Sequence, residues 1–346
     1  MFVYWLMFFI PVFALFSPSR MTTNARDWSL RAICILFTFF IGLRYEVGGD
    51  WFVYAHYYQA AVGQTLLDLI PQRDPAYEFL TWLAASYDWG VSSVNLICAA
   101  VVMVGVYHFC RRQPQPWLAL IVAVPYMLIV FAMGYTRQSA ALGFELLALL
   151  ALGDGRLQRF FILIVCAALF HKSAVVLLPL WILASTNRPL WLMFAMIGMS
   201  VLIAGVLLLE QSEALINTYS GMQSEGGAIR VAMNAIPAVM FLIFSKRFAP
   251  LIHERKLWTW MAIFSLVCIP LLPLAPAATD RIALYFLPIQ IFVFSRIGRF
   301  FRQTINYSAA VFFIVAGYGL VLWVLLNKAT NVSVFWVPYN SVAFPW

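Results

Sequence analysis

Apolar residues fill this chain in long blocks separated by short polar stretches. A helix needs about 20 such residues to cross a bilayer, or about 17 at the short end, and irregular backbone cannot face lipid. On that template the pattern predicts about twelve transmembrane helices. They run near residues 1–17, 29–43, 91–110, 117–134, 138–153, 159–171, 173–186, 190–209, 230–245, 257–278, 281–295 and 305–326. Several are short. The pairs that meet at Arg137 and at His171 turn so tightly that each reads either as two spans or as a re-entrant hairpin. Pro270, Pro273 and Pro276 are predicted to kink or break the tenth span.

Residues 51–90, between the second and third blocks, hold no spanning segment but are rich in Trp, Tyr and Phe. Asp74-Pro75 has the pattern of an N-cap followed by a first-turn proline, which predicts a helix running to about Tyr87. Two helices are expected here, lying at the outer membrane interface. Their aromatics read as a headgroup-level belt. The polar stretch 210–230 contains Gly221, Gly226 and Gly227 and is expected to form an outer-face loop. With no repeat of 20–50 residues and no linker, residues 1–346 read as one integral membrane domain. The first block, Met1 to Phe16, lacks a basic leader and a small-residue cleavage site, so it reads as a retained span.

Composition agrees with this reading. Apolar residues make up 64% and charged residues 10% of the chain, against about 45–50% and about 25% in soluble domains. That excludes a cytosolic enzyme, a disordered chain and a disulfide-framed secreted domain. The five cysteines all sit in or at the end of apolar blocks without a C-x-x-C or Cys/His cluster. They read as small hydrophobes, and no metal or cofactor is expected. The net charge of +8 points to orientation rather than to nucleic acid. Fifteen of the 22 basic residues fall in one alternating set of connections, with only Asp27, Asp154 and Glu254 among them. By the positive-inside rule that set is cytoplasmic, which places both termini outside.

The other seven basic residues are Arg44, Arg73, Arg137, Lys172, Arg230, Arg281 and Lys328. Of these, Arg44, Arg137, Lys172 and Arg281 each abut the end of a predicted span. Acidic or titratable residues lie beside them: Glu46 and Asp50, His171, and Asp280. Singly, each is explained as an interfacial anchor or a local ion pair such as Asp280 with Arg281. Four together, kept outside against the charge bias, point to function. A lipid phosphate or diphosphate is the natural partner, because a guanidinium fork binds it bidentately.

The same residues carry a family resemblance. Arg44, Gly48, Asp50 and Tyr54 fall in an R-x3-G-x-D-x3-Y pattern that resembles the signature of EpsG-like polysaccharide polymerases, relatives of the Wzy-type O-antigen polymerases. Arg137-Gln138 is similar to the Arg-Gln pair that opens a later span in that family. Phe170-His171-Lys172-Ser173 is similar to its Phe-His-x-Ser, Arg281 with Tyr285 to its later Arg and Tyr, and Pro338-Tyr339 to its closing Pro-Tyr. Gly49 departs from the pattern, since a Thr is common there.

The resemblance implies a metal-independent membrane glycosyltransferase of the bacterial inner membrane. It would polymerise lipid-linked repeats of O-antigen or exopolysaccharide at the extracytoplasmic face. Donor and acceptor would both be undecaprenyl-diphosphate-linked oligosaccharides, and a chain-length regulator is a family partner. Arg44, Arg137 and Arg281 would grip the departing diphosphate with Lys172 assisting, since fixed cations stabilise charge developing in the transition state. Asp50, His171 and Glu46 are candidate bases for the attacking sugar hydroxyl. Gly48, Tyr54, Gln138 and Tyr285 would support the site. Each also has a plainer reading: His171 as a satisfied helix-end histidine, and Asp50 as a salt bridge orienting Arg44. Glu145, alone in the fifth span, either pairs with a buried partner or stays protonated.

Two other classes fit a polytopic chain. A flippase would place broken helices and charges near the midplane and repeat between halves. An acyltransferase would use His171 and leave three arginines without a task.

Overall fold

The computed structural model describes residues 1–18, 21–183, 227–300 and 305–343, together with positions 191, 194 and 198. The described chain is helical. Its one extended pairing is an isolated antiparallel bridge between Arg44 and Ser341. The principal helices are α1 (Phe2–Phe16), α2 (Thr23–Gly42), α3 (Trp51–Ala61), α4 (Pro75–Ser86), α5 (Val91–Arg111), α6 (Pro116–Ala132) and α7 (Thr136–Gly153). They continue as α8 (Leu157–Phe170), α9 (Pro179–Leu183), α10 (Gly227–Phe248), α11 (Ile252–Leu271), α12 (Pro276–Leu284), α13 (Pro288–Phe294), α14 (Ile305–Lys328) and α15 (Thr330–Phe335).

Three of these, α5, α10 and α14, are long and apolar enough to cross a bilayer singly, and α12 with α13 passes as a pair bent by 41°. Shorter apolar helices occupy α1, α6, α8 and the stretch Lys172–Leu183. The α2 helix is long enough but opens with Asn24, Arg26, Asp27 and Arg31. The expected seventh span is a 3-10 segment, Lys172–Leu177, followed by the five-residue α9. The eighth expected span and the polar loop 210–230 lie mostly outside the described residues. The prolines act as expected: α11 ends at Leu271, one residue past Pro270, and the chain re-enters a helix at Pro276.

The chain forms two compact units. One comprises residues 1–146, 169–171 and 294–346, and the other residues 147–168 and 172–293.

In the first unit α5 is the axis. Small residues let its neighbours approach closely, as helices do in lipid. A Cβ at Gly105 would stand 2.3 Å from the Gly143 carbonyl oxygen on α7, and one at Gly42 would stand 2.5 Å from Leu96 Cα. Every residue of α6 is buried, and its second half, Val124–Ala132, widens into a π-helix. Pro125 at the start of that stretch brings no N–H donor to the ladder, which favours the wider turn. The Ile129 carbonyl inside it accepts the Trp336 indole N–H at 2.9 Å. Gly134 makes room for that ring, since a Cβ there would stand 2.8 Å from it. Glu145 is fully enclosed in α7, and neither of its oxygens meets a hydrogen-bond partner among the described residues.

In the second unit α10 packs along α11 and α12. Trp258 stacks on Phe292 with centroids 3.9 Å apart. The break between α12 and α13 is pinned by polar groups. Asn234 on α10 donates to the Ala283 carbonyl at 2.8 Å and accepts from the Gln290 amide at 2.7 Å. Such bonds tie down the carbonyls and amides that a helix end leaves unpaired.

Candidate functional site

In the first unit the loop that leaves α2 folds back on Arg44. Its guanidinium is fully buried and binds three oxygens from three directions. Nη1 donates to the Ile41 carbonyl at 2.6 Å, Nε to the Val47 carbonyl at 3.1 Å and Nη2 to Thr136 Oγ1 at 2.7 Å. Burial pulls its pKa down to about 10, so the group stays cationic at neutral pH. The C-terminal segment closes over the same loop. Tyr45 N–H donates to the Asn340 carbonyl at 3.0 Å, Gly48 N–H to that of Phe335 at 2.8 Å, and Val342 N–H to that of Leu43 at 2.9 Å. The Tyr339 hydroxyl reaches the Phe40 carbonyl at 2.8 Å. Gly48 is required twice over: its φ is +105°, and a Cβ would stand 2.1 Å from the Met133 carbonyl oxygen. Gly49 is different, since a Cβ there would find its nearest neighbour, the Trp336 ring, at 3.7 Å.

Arg137 follows the Thr136 that Arg44 holds, at the start of α7. Its Nη1 donates to Asp74 Oδ2 at 2.8 Å, and its side chain keeps 23% exposure against 4% for Asp74. The rings of Tyr57, Tyr77 and Tyr54 surround its Cζ at 5.7, 5.8 and 6.0 Å, within cation–π range. Its Nε meets no hydrogen-bond partner among the described residues. Beside it, Arg73 lies 3.7 Å over the Tyr57 ring and donates to Glu78 Oε1 at 2.9 Å. The two helices expected over residues 51–90 thus form, as α3 and α4, and present a tyrosine-lined cage to Arg137. Asp74 does occupy the N-cap position of α4, but its side chain makes no capping bond; Arg137 takes it instead.

Burial raises the Tyr54 pKa above its ordinary value, the Asp50 carboxylate raises it further, and Arg137 acts against both. Tyr54 therefore senses both Asp50 and Arg137. Glu46 is exposed, in a left-handed conformation with φ of +54°. It hydrogen-bonds Tyr45 and so raises that phenol's pKa. His171 and Gln138 are buried.

Lys172, Arg281 and Tyr285 belong to the second unit. There Asp280 pairs with Arg230 at 2.9 Å, with both side chains about nine-tenths buried. The carboxylate expected from sequence to pair with its neighbour Arg281 thus takes a distant partner at the start of α10, and Arg281 acts on it through its charge. Tyr285 is fully buried and shares a 2.9 Å hydrogen bond with Ser173 Oγ, while Lys172 is exposed. Among the described residues no three His, Cys, Asp or Glu side chains cluster closely enough to hold a metal ion.

The sequence named Asp74 only as a helix cap and Arg73 only as one of seven basic residues outside the main set, and gave no site role to either or to Tyr57, Tyr77 or Glu78. The signal available was acids and a base set inside an aromatic stretch that holds no spanning segment. Their partner stands 63 residues away from Asp74.

The EpsG family model matches residues 27–341, nearly the whole chain. No curated protein and no solved structure matches it. The chain belongs to the EpsG family, a Wzy-like polymerase family, and its apolar helices are those of a membrane protein.

Proposed function

We propose that this EpsG-family chain joins lipid-linked oligosaccharide repeats into O-antigen or exopolysaccharide at the outer face of the bacterial inner membrane. The family match carries the reaction class, because it covers Arg44, Asp50, Arg137 and Arg281 together. The charge bias supports twelve crossings with both termini outside, the shorter apolar helices crossing in bent or paired form.

The donor is a repeat unit on undecaprenyl diphosphate, and the acceptor a sugar hydroxyl of a second lipid-linked glycan. The hydroxyl oxygen bonds to the donor C1, the C1–O bond to phosphate breaks, and its electron pair leaves with the diphosphate. The hydroxyl proton passes to a base, for which Asp50 is the first candidate and His171 and Glu46 the others. Arg137 meets the charge that grows on the leaving oxygen; Arg281 and Lys172 are proposed as further cations on the family resemblance alone. Arg137 suits this task because its ring-lined side chain keeps an exposed edge. Arg44 is shut off from solvent, so we assign it to positioning Thr136 and the start of α7. Tyr54 and Tyr57 offer ring faces to sugar.

Purified protein in detergent, supplied with lipid-linked repeats, should lengthen them without nucleotide or ion gradient. Arg137→Ala and Arg281→Ala should each cut chain extension by at least about a hundredfold while the protein elutes as a folded species, in line with the loss of one preorganised charge stabiliser. Arg137→Lys should recover little. Near-normal polymer lengths from either alanine variant would remove that residue from the diphosphate site. Activity that needs a gradient would favour transport instead.

A further inference from the structure

A second cationic concavity lies in the first unit at the far end of α5 from the tyrosine cage. The α5 helix has 21 residues, so about 30 Å separates its two ends. Beyond Arg111 the chain turns through Gln113, Pro114 and Gln115 into α6, and the residues that follow α13 come alongside. Pro114, Gln115, Ser295, Arg296, Gly298, Arg299 and Tyr307 enclose a cavity of about 210 Å³ between these connections and the start of α14.

The pocket is built rather than incidental. Arg296 is 94% buried, with 6% exposure, and its Nη1 donates to Gln113 Oε1. Gln113 is itself buried and anchored by its amide to the Phe109 carbonyl at 2.9 Å. Ser295 Oγ reaches the same Gln113 oxygen at 3.4 Å. Gly298 lets the Tyr307 ring lie against the backbone, since a Cβ there would stand 3.0 Å from it. The lining thus holds two guanidinium groups, an amide and two hydroxyls. No carboxylate lines it among the described residues. Its volume is below the about 300–1,000 Å³ of sites that enclose whole organic ligands, and suits a headgroup.

We infer that this pocket binds a phosphate group, as the headgroup of an anionic phospholipid in the membrane or as a free phosphate ester. A guanidinium fork matches phosphate oxygens, and basic pockets between membrane helices on the cytoplasmic side take up anionic headgroups. The charge bias of Arg111, Arg112, Arg296 and Arg299 assigns this end to that leaflet. The pocket is separate from the proposed polymerisation site, and its test does not involve polymerisation.

The test uses full-length protein in neutral detergent, with thermal stability and native mass spectrometry as readouts. The probes are phosphatidylglycerol, phosphatidylcholine and inorganic phosphate. Phosphatidylglycerol should be retained at about one tightly held molecule and should raise Tm, whereas phosphatidylcholine should do neither. A matching rise with millimolar inorganic phosphate identifies a site for free phosphate; a rise with phosphatidylglycerol alone identifies a lipid site. Arg299→Gln should weaken the effective probe about tenfold, the size of one charge-assisted hydrogen bond, and Arg296→Gln more. Arg296 is buried and its variant can fail to fold, so the exposed Arg299 carries the test alone if needed. Arg137→Ala should leave probe binding unchanged. Binding that survives Arg299→Gln undiminished, or no binding of any probe, would overturn the inference.

Discussion

Arg44 and Arg137 are joined through Thr136, yet they are held in opposite ways. Arg44 is sealed: two backbone carbonyls and a threonine hydroxyl occupy its fork, and nothing of it reaches solvent. Arg137 is screened instead by one carboxylate and the faces of three tyrosines, and part of its side chain stays exposed. Backbone carbonyls are fixed by the fold, so a cation bound by them is part of the frame. A carboxylate and ring faces can share their cation with an incoming anion. Two arginines that look alike in a motif are therefore separated by what surrounds them, one sealed into the frame and the other left partly open.

Substitutions can break or sharpen that contrast, and the largest effect should come from the sealed side. Arg44→Ala should cost about 4 kcal/mol, because it leaves buried carbonyls unmatched and opens a cavity. The readout is loss of a monodisperse species in detergent, and a variant that stays folded but inactive would make Arg44 a ligand group after all. Gly48→Ala should cost about 3 kcal/mol, from backbone strain at positive φ and collision with the Met133 carbonyl; thermal unfolding checks it. On the open side, Asp74→Asn should leave the fold intact and lower the rate of chain extension about tenfold, since a neutral amide orients Arg137 less firmly than a carboxylate does. An unchanged rate with reduced stability would move Asp74 to the frame. Smallest of all, Gly49→Thr should shift stability by no more than about 0.5 kcal/mol, since the site has room for a side chain.

Much of this was legible in the order of residues because it depends on local rules. The apolar block at 91–110 became a helix over Val91–Arg111, and the proline cluster ended one helix and started the next. Arg44, Arg137 and Arg281 stood out by the charge bias alone. What was hidden depends on distant partners. The sealing of Arg44 requires Thr136, which stands 92 positions away. Asp74 looked like a helix cap because the Asp-Pro pair is a strong local signal, and only the fold reveals the guanidinium that claims it. Arg230 carried no motif, yet it meets Asp280 across 50 positions, from 230 to 280. The division into two units also follows from long-range contacts that no linker announces.

The clasp between residues 335–342 and the loop after α2 sets an order of assembly. A chain made from its N-terminus inserts helix by helix as it emerges. The turn beyond Gly42 is synthesised early, but the carbonyls that Tyr45 and Gly48 bind, at Asn340 and Phe335, arrive almost three hundred residues later. During translation that corner of the protein waits half-made in the bilayer. The loop after α2 therefore acquires its clasp only once residue 342 has been made, so a product cut short before residue 335 would enter the membrane without it.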